Sequence, residues 1–171
     1  MDLQPKTVKE SKTVKAVLVL PSDTNHHGTV FGGTVMSYMD EVSAIAAMRH
    51  SRCHVVTASV DSVDFIAPAK MGYSICIEAF VTSTGRTSVE VFVKIISENL
   101  LTGDRQLTAT SFVTFVALDE NGKPTEVPQV IPETEEEIFL HQTAEQRRTM
   151  RKERRRMTQQ FYNSLDINKN I

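Results

Sequence analysis

Apolar and polar positions alternate in long runs through the middle of the chain, with turn residues between them. Val14 to Leu20 alternates and stops at Pro21, which predicts a first strand. From Gly33 the period changes: Val35, Met36, Met39, Val42 and Ala46 advance in steps of three and four, the spacing of one buried helical face, and no proline interrupts them. Val55 to Leu118 reads as strand throughout. Tyr73, Ile75, Ile77, Ala79 and Val81 alternate with Ser74, Cys76, Glu78, Phe80 and Thr82, as Val89, Val91, Val93 and Ile95 do with Ser88, Glu90, Phe92 and Lys94, and Arg105 to Leu118 forms another long run. Turns are predicted at Pro68 to Gly72, Thr84-Gly85 and Asn99 to Gly103. The expected order is a strand, one long apolar helix, then four strands in a meander. Such a helix must bury its stripe on one sheet face, which gives an α+β protein with an antiparallel sheet curled around a central helix. The strand edges carry no proline or lysine clusters, so edge-to-edge dimerisation is expected.

The C-terminal part differs in kind. Pro124, Pro128 and Pro132 predict an extended connector. Glu133, Glu135, Glu136 and Glu137 then open a helix that turns basic at Arg147, Arg148, Arg151, Lys152, Arg154, Arg155 and Arg156, an order that complements the helix dipole. Its apolar residues hold no heptad, which argues against a coiled coil. The chain therefore divides into a flexible leader (1–12), one folded domain (13–122), and a connector with a charged C-terminal helix (123–171).

Composition narrows the function classes. The 171 residues suit one domain with an appendage, and a net charge of -2 gives no global attraction to nucleic acid or membrane. The basic tail lacks interleaved aromatics and begins acidic, which weakens a nucleic-acid role further. No run is long and apolar enough to span a bilayer, and Met1 to Lys15 lacks a secretory apolar region, so a cytoplasmic protein is expected. Cys53 and Cys76 show no metal-ligand spacing and read as reduced packing residues. No metal site is expected.

Chemistry concentrates between Asn25 and Asp40. Gly32-Gly33 at a helix mouth lets backbone approach a ligand and leaves unpaired N–H groups aimed at it. Asp40 has Met36, Ser37, Ser43 and Ala44 three and four positions away, with no cation among them. It is either a solvated acid beside Glu41 or a carboxylate kept to activate something. Asn25 reads equally as turn material, and the adjacent His26 and His27 read as loop residues unsuited to chelating one metal. A nucleophile elbow, a phosphate-loop lysine, a dinucleotide fingerprint and a zinc-peptidase motif are all absent. A carboxylate plus a neutral donor remains, suited to directing water at an activated acyl group.

The stretches 21–33 (PSDTNHHGTVFGG), 35–40 (VMSYMD), 56–61 (VTASVD) and 85–89 (GRTSV), with the tail segments 134–137 and 144–148, resemble the hotdog-fold acyl-CoA thioesterases, bacterial and animal cytosolic. The resemblance runs from about Val14 to Arg156. It implies hydrolysis of acyl-CoA to fatty acid and coenzyme A, with Asp40 as general base or nucleophile and Asn25 supplied by a partner subunit. It also implies coenzyme A contacts at Thr57, Ala58, Ser59, Arg86, Thr87, Ser88 and Arg148. No separate cofactor is implied, because coenzyme A is part of the substrate. Animal relatives often carry two hotdog units in one chain, whereas this sequence holds one, so a homodimer and a trimer of such dimers are implied. Two alternatives stay open: a hotdog enoyl-thioester hydratase or dehydratase using Asp23, Asn25 and His26, and a non-catalytic CoA-thioester-binding module. For Arg86 a solvated hairpin residue is the competing reading, and Arg151 to Arg156 read as a solvated basic face. Thr57 and Ser59, two apart on a strand, are expected to share a face. Met36, Met39 and Phe65 are candidate linings of an acyl tunnel.

Overall fold

A computed structural model describes residues 3–162 and 164–165. The extreme ends of the expected leader and tail lie outside the described residues. Strand β2 (Thr13–Leu18) leads through a loop to helix α1 (Gly32–Ser51), followed by β3 (His54–Phe65), β4 (Ser74–Thr84), β5 (Ser88–Glu98) and β6 (Arg105–Leu118). The antiparallel sheet runs in the order β2-β4-β5-β6-β3, and α1 packs on all five strands.

The four strands after α1 are not a simple meander. β3 pairs with β6 at one edge, and only β4, β5 and β6 follow one another. Alternation sets which face a residue takes but not which strand lies beside it, so the order was not readable from pattern. β2 and β3 are the sheet's edges, and β3 leaves Val56 and Val60 nearly half exposed.

The inner sheet face and α1 form the core. Val89, Val91, Val93 and Ile95 of β5 are fully buried, as are Val42 and Ala46 of α1, with Val35 and Met39 nearly so. At about 25 cal/mol per Å² of apolar surface removed from water, this layer is the main stabilising element. Met36 departs from the expected stripe and is exposed. Ser43 and Ala47, seven and eleven residues on at nearly the same helical angle, are fully buried, so Met36 is exposed because of its place near the start of α1 and not because of the face it takes.

The outer sheet face is covered by the C-terminal segment. The basic helix is two helices, α2 (Glu135–Gln142) and α3 (Ala144–Tyr162), broken at Thr143. Thr134 caps α2: its Oγ1 accepts from the Glu137 N–H while Glu137 Oε2 accepts from the Thr134 N–H. The expected flexible leader is tied down from Lys6 onward. β1 (Lys6–Thr7) pairs in parallel with β7 (Val130–Ile131) in the connector, and Val8 is buried. His50, at the end of α1, is also fully buried. Its Nε2 lies 2.9 Å from the Pro128 carbonyl, its Nδ1 has no partner, and its own carbonyl accepts from Lys6 Nζ at 2.7 Å. Among the described residues no helix is long and apolar enough to cross a membrane.

Candidate active site

The loop before α1 is shaped by Asn25. Its Oδ1 accepts from the His27 N–H at 2.9 Å and from the Thr29 N–H and hydroxyl at 3.3 and 3.2 Å. Asn25 is therefore a turn residue, but only through its oxygen, and this fixes the side chain with its NH2 group left to donate elsewhere. Asn25 and Gly32 line one groove of about 390 Å³, walled by apolar Val30, Val35, Phe65 and Ile66 and floored by Thr108.

Gly32 begins α1 after Phe31, whose carbonyl takes the first helical bond from Val35 N at 3.1 Å. The N–H groups of the first turn have no helical acceptor, and here they open at the groove. A Cβ on Gly32 would lie 3.4 Å from the Phe65 ring, and one on Gly33 only 2.6 Å from the Phe31 ring. Both glycines thus let aromatic rings close over the helix mouth. Of the candidate tunnel residues Phe65 lines this groove, whereas Met39 is part of the core and Met36 stands exposed on α1.

Asp40 lies eight residues along α1 from Gly32, roughly 12 Å at 1.5 Å per residue. It is exposed, and its Oδ1 accepts from the Thr57 hydroxyl at 2.8 Å. No hydrogen bond joins it to Asn25 within the protomer among the described residues.

Thr57 and Ser59 do not share a face. Thr57 pairs with Phe115 and Ser59 with the adjacent Thr114, so Ala58 is an extra residue and β3 bulges there. The bulge reverses the alternation. Thr57 turns inward to Asp40, while Ser59 turns outward, where its hydroxyl donates to Asp61 at 3.0 Å and accepts from Arg154 at 2.6 Å.

Outside, Ala58, Ser88 and Arg148 line a cavity of about 190 Å³ together with Thr114, Arg151, Lys152 and Arg155. Arg148 donates to the Thr84 carbonyl at 3.3 Å and pairs with Glu145 at 3.1 Å. Arg86 is exposed in the β4–β5 turn and Thr87 accepts from the Ala117 N–H through its carbonyl; neither lines the cavity. A larger hollow of about 580 Å³ at the far end of α1, lined by Arg49, Arg52, His54 and Glu120 among others, contains none of the expected site residues.

Sequence reasoning missed the groups that hold α3. Arg151 is not solvated but bridges Asp61 at 2.8 Å and Glu90 at 3.3 Å, and Arg154 meets Asp61 at 2.7 Å. Burial opposes ionisation of Asp61, but hydrogen bonds from Arg154, Ser59 and Arg151 prevail and hold its carboxyl below the usual carboxylate range. A signal was present: Arg147, Arg151 and Arg154 follow helical spacing on one face, and Glu90 stands at an outward position between Val89 and Val91.

Comparison with known proteins shows the family. The thioesterase superfamily profile matches residues 27–103. The Bacillus subtilis protein YkhA, described as an uncharacterized acyl-CoA thioester hydrolase, is 57% identical over 161 residues, covering 94% of each chain. The chain belongs to the acyl-CoA thioester hydrolases. Its hotdog fold is that of solved members. A hexameric acyl-CoA thioesterase superposes with a TM-score of 0.87 at 56% identity, over 88% of this chain and 97% of that one. The Staphylococcus aureus acyl-CoA hydrolase, solved in complex with butyryl coenzyme A, coenzyme A and its disulfide, gives a TM-score of 0.89 at 45% identity, over 94% and 98%.

Proposed function

We propose that this chain hydrolyses acyl-CoA thioesters to a carboxylic acid and coenzyme A, with Asp40 directing water at the carbonyl. The observation that carries the reading is the exposed Asp40 carboxylate, oriented by the Thr57 hydroxyl on a helix whose N-terminus opens on the Asn25 groove. A thioester is poorly resonance-stabilised, and its leaving thiol resembles cysteine, with a pKa of roughly 8.5, so expulsion needs little acid assistance. The site must chiefly activate water and stabilise the tetrahedral oxyanion. Asp40 acts as general base, and the free N–H groups near Gly32 and Gly33 with the Asn25 amide receive the oxyanion or hold the water. Attack by Asp40 itself, through an anhydride, uses the same residues.

Asp40 does not line the Asn25 groove of its own protomer, so the complete site takes one residue from each of two subunits. The open β3 edge, with Val56 and Val60 exposed, and Met36, exposed on the same side of α1 as Asp40, supply an apolar contact surface. Three such dimers make the assembly, in keeping with the hexameric relative. Coenzyme A lies against Ala58, Ser88 and Arg148, and Arg86 and Thr87 act from the neighbouring turn. Cys53 and Cys76 stand as thiols and not as a disulfide, in accord with work in the cytoplasm. A hydratase needs a histidine paired with an acid, but His26 and His27 stack on each other at 3.8 Å, and Asp23 Oδ2 is taken by the Leu20 N–H.

The test is thiol release from a series of acyl-CoA esters. Asp40→Asn and Asn25→Ala are each expected to abolish turnover with the assembly intact. Mixing the two variants should restore part of the rate, since exchanged subunits rebuild some whole sites. Wild-type rates in both variants would remove the assigned roles.

A further inference from the structure

Among the described residues, α3 buries only Ala144. A helix of 19 residues with so little apolar attachment is held by other means. Two carboxylates of the outer sheet face do this. Glu90, 4% exposed, accepts from Arg147 Nε and Nη2 at 3.2 and 2.8 Å and from Arg151 at 3.3 Å. Asp61 accepts from Arg151 at 2.8 Å and Arg154 at 2.7 Å. Arg147 also stacks on Phe112, with its guanidinium carbon 4.0 Å from the ring centroid.

The same helix turns cations to the 190 Å³ cavity. Arg147, Arg148, Arg151, Lys152, Arg154 and Arg155 crowd residues 147–155, where Glu153 is the one acid. Asp61 and Glu90 engage Arg147, Arg151 and Arg154, while Lys152 makes no hydrogen bond or ion pair among the described residues. Arg151 belongs to both sets: it is the bridge between the two acids and part of the cavity wall.

From this we infer that Asp61 and Glu90 are positioning residues for the nucleotide end of the substrate, clamping α3 and Arg151 so that the cationic cavity is preformed for the phosphates of coenzyme A. The inference rests on the acyl-CoA reading above. Buried ion pairs contribute little net stability against apolar replacements, so their distinctive product is fixed geometry. A free arginine loses much rotamer entropy on gripping phosphate, and one already pinned by two carboxylates has lost it on folding.

Electrostatics and positioning predict opposite signs, which makes the inference testable. Removing a negative charge beside a phosphate site should tighten binding if charge alone matters. If Asp61 positions, Asp61→Asn weakens it. Steady-state kinetics would compare one acyl-CoA with the same acyl group on pantetheine, which lacks the nucleotide. In Asp61→Asn we expect KM for acyl-CoA to rise about tenfold with kcat within about twofold, and kcat/KM for acyl-pantetheine to stay unchanged. Asp61→Glu should recover most of the loss, and Glu90→Gln should repeat the pattern as an independent variant. An unchanged or lower KM in both variants, or equal losses on both thioesters, overturns the inference. A wild-type protein with no preference for acyl-CoA over acyl-pantetheine would instead refute the cavity's assignment to phosphates.

Discussion

Thr57 separates two accounts of the site, because the family resemblance makes it a coenzyme A contact while its hydroxyl is given to Asp40 at 2.8 Å. Thr57→Val keeps the volume and the β-branched shape that a strand favours and removes only the donor. Both groups are exposed in the free protein, so water replaces the lost bond and stability should fall by less than about 1 kcal/mol. With substrate bound and water excluded, the bond holds the base in place. A hydrogen bond to a charged group is then worth about 1.5–3 kcal/mol, which at 1.36 kcal/mol per decade is about 10- to 150-fold in kcat. Thiol-release kinetics on a single acyl-CoA should show that loss with KM within about twofold, and Thr57→Ser should restore the rate. An unchanged kcat refutes the positioning role, and a raised KM with normal kcat returns Thr57 to coenzyme A binding.

Two other perturbations follow from the fold. Burial holds the His50 imidazole below its usual range, although its hydrogen bond to Pro128 works the other way. The unfolded chain then binds a proton that the native state refuses, so stability should decline as pH drops below roughly 6.5, and urea midpoints should fall less steeply in His50→Gln. Asp61 likewise favours its deprotonated form when folded: its depressed pKa gives stability present above roughly pH 4 and lost as pH falls through the lower folded value, so a second decline is expected in acid. On the open edge of β3, Val60→Lys should halve or further reduce the particle mass in light scattering, and with it the activity; an unchanged mass would place the subunit contact elsewhere.

The layer that faces α1 was legible because its rule is simple. Val89, Val91, Val93 and Ile95 recur at every second position, and each is buried, as period two requires, with Phe92 the one apolar residue between them. The helix was legible from its steps of three and four, except at Met36, which shares its angle with buried Ser43 and Ala47 and where hydropathy alone could not say how far along α1 the cover would reach. Strand order was not legible, since β3 carries the same alternating pattern whether it pairs with β4 or with β6. Nor was the role of the C-terminal helix. Its arginines have the composition of a solvated face, and only the sheet's placement of Asp61 and Glu90 beneath them turns that face into an attachment.

The bulge at Ala58 is where these limits meet the chemistry. Pure alternation puts Thr57, Ser59 and Asp61 on one side of β3, and no composition signal marks the extra residue that divides them. With the bulge, one short segment serves both faces of the sheet: Thr57 reaches the carboxylate on α1, while Ser59 and Asp61 reach the arginines of α3. The groups that orient the base and those that order the cationic cavity are therefore neighbours in sequence yet separated by the thickness of the sheet. A substrate that touches both must pass the β3 edge, which is also the surface left open for a second subunit. Catalysis, recognition of the nucleotide and assembly thus depend on the same strand, and Thr57→Val, Asp61→Asn and Val60→Lys each probe one of the three.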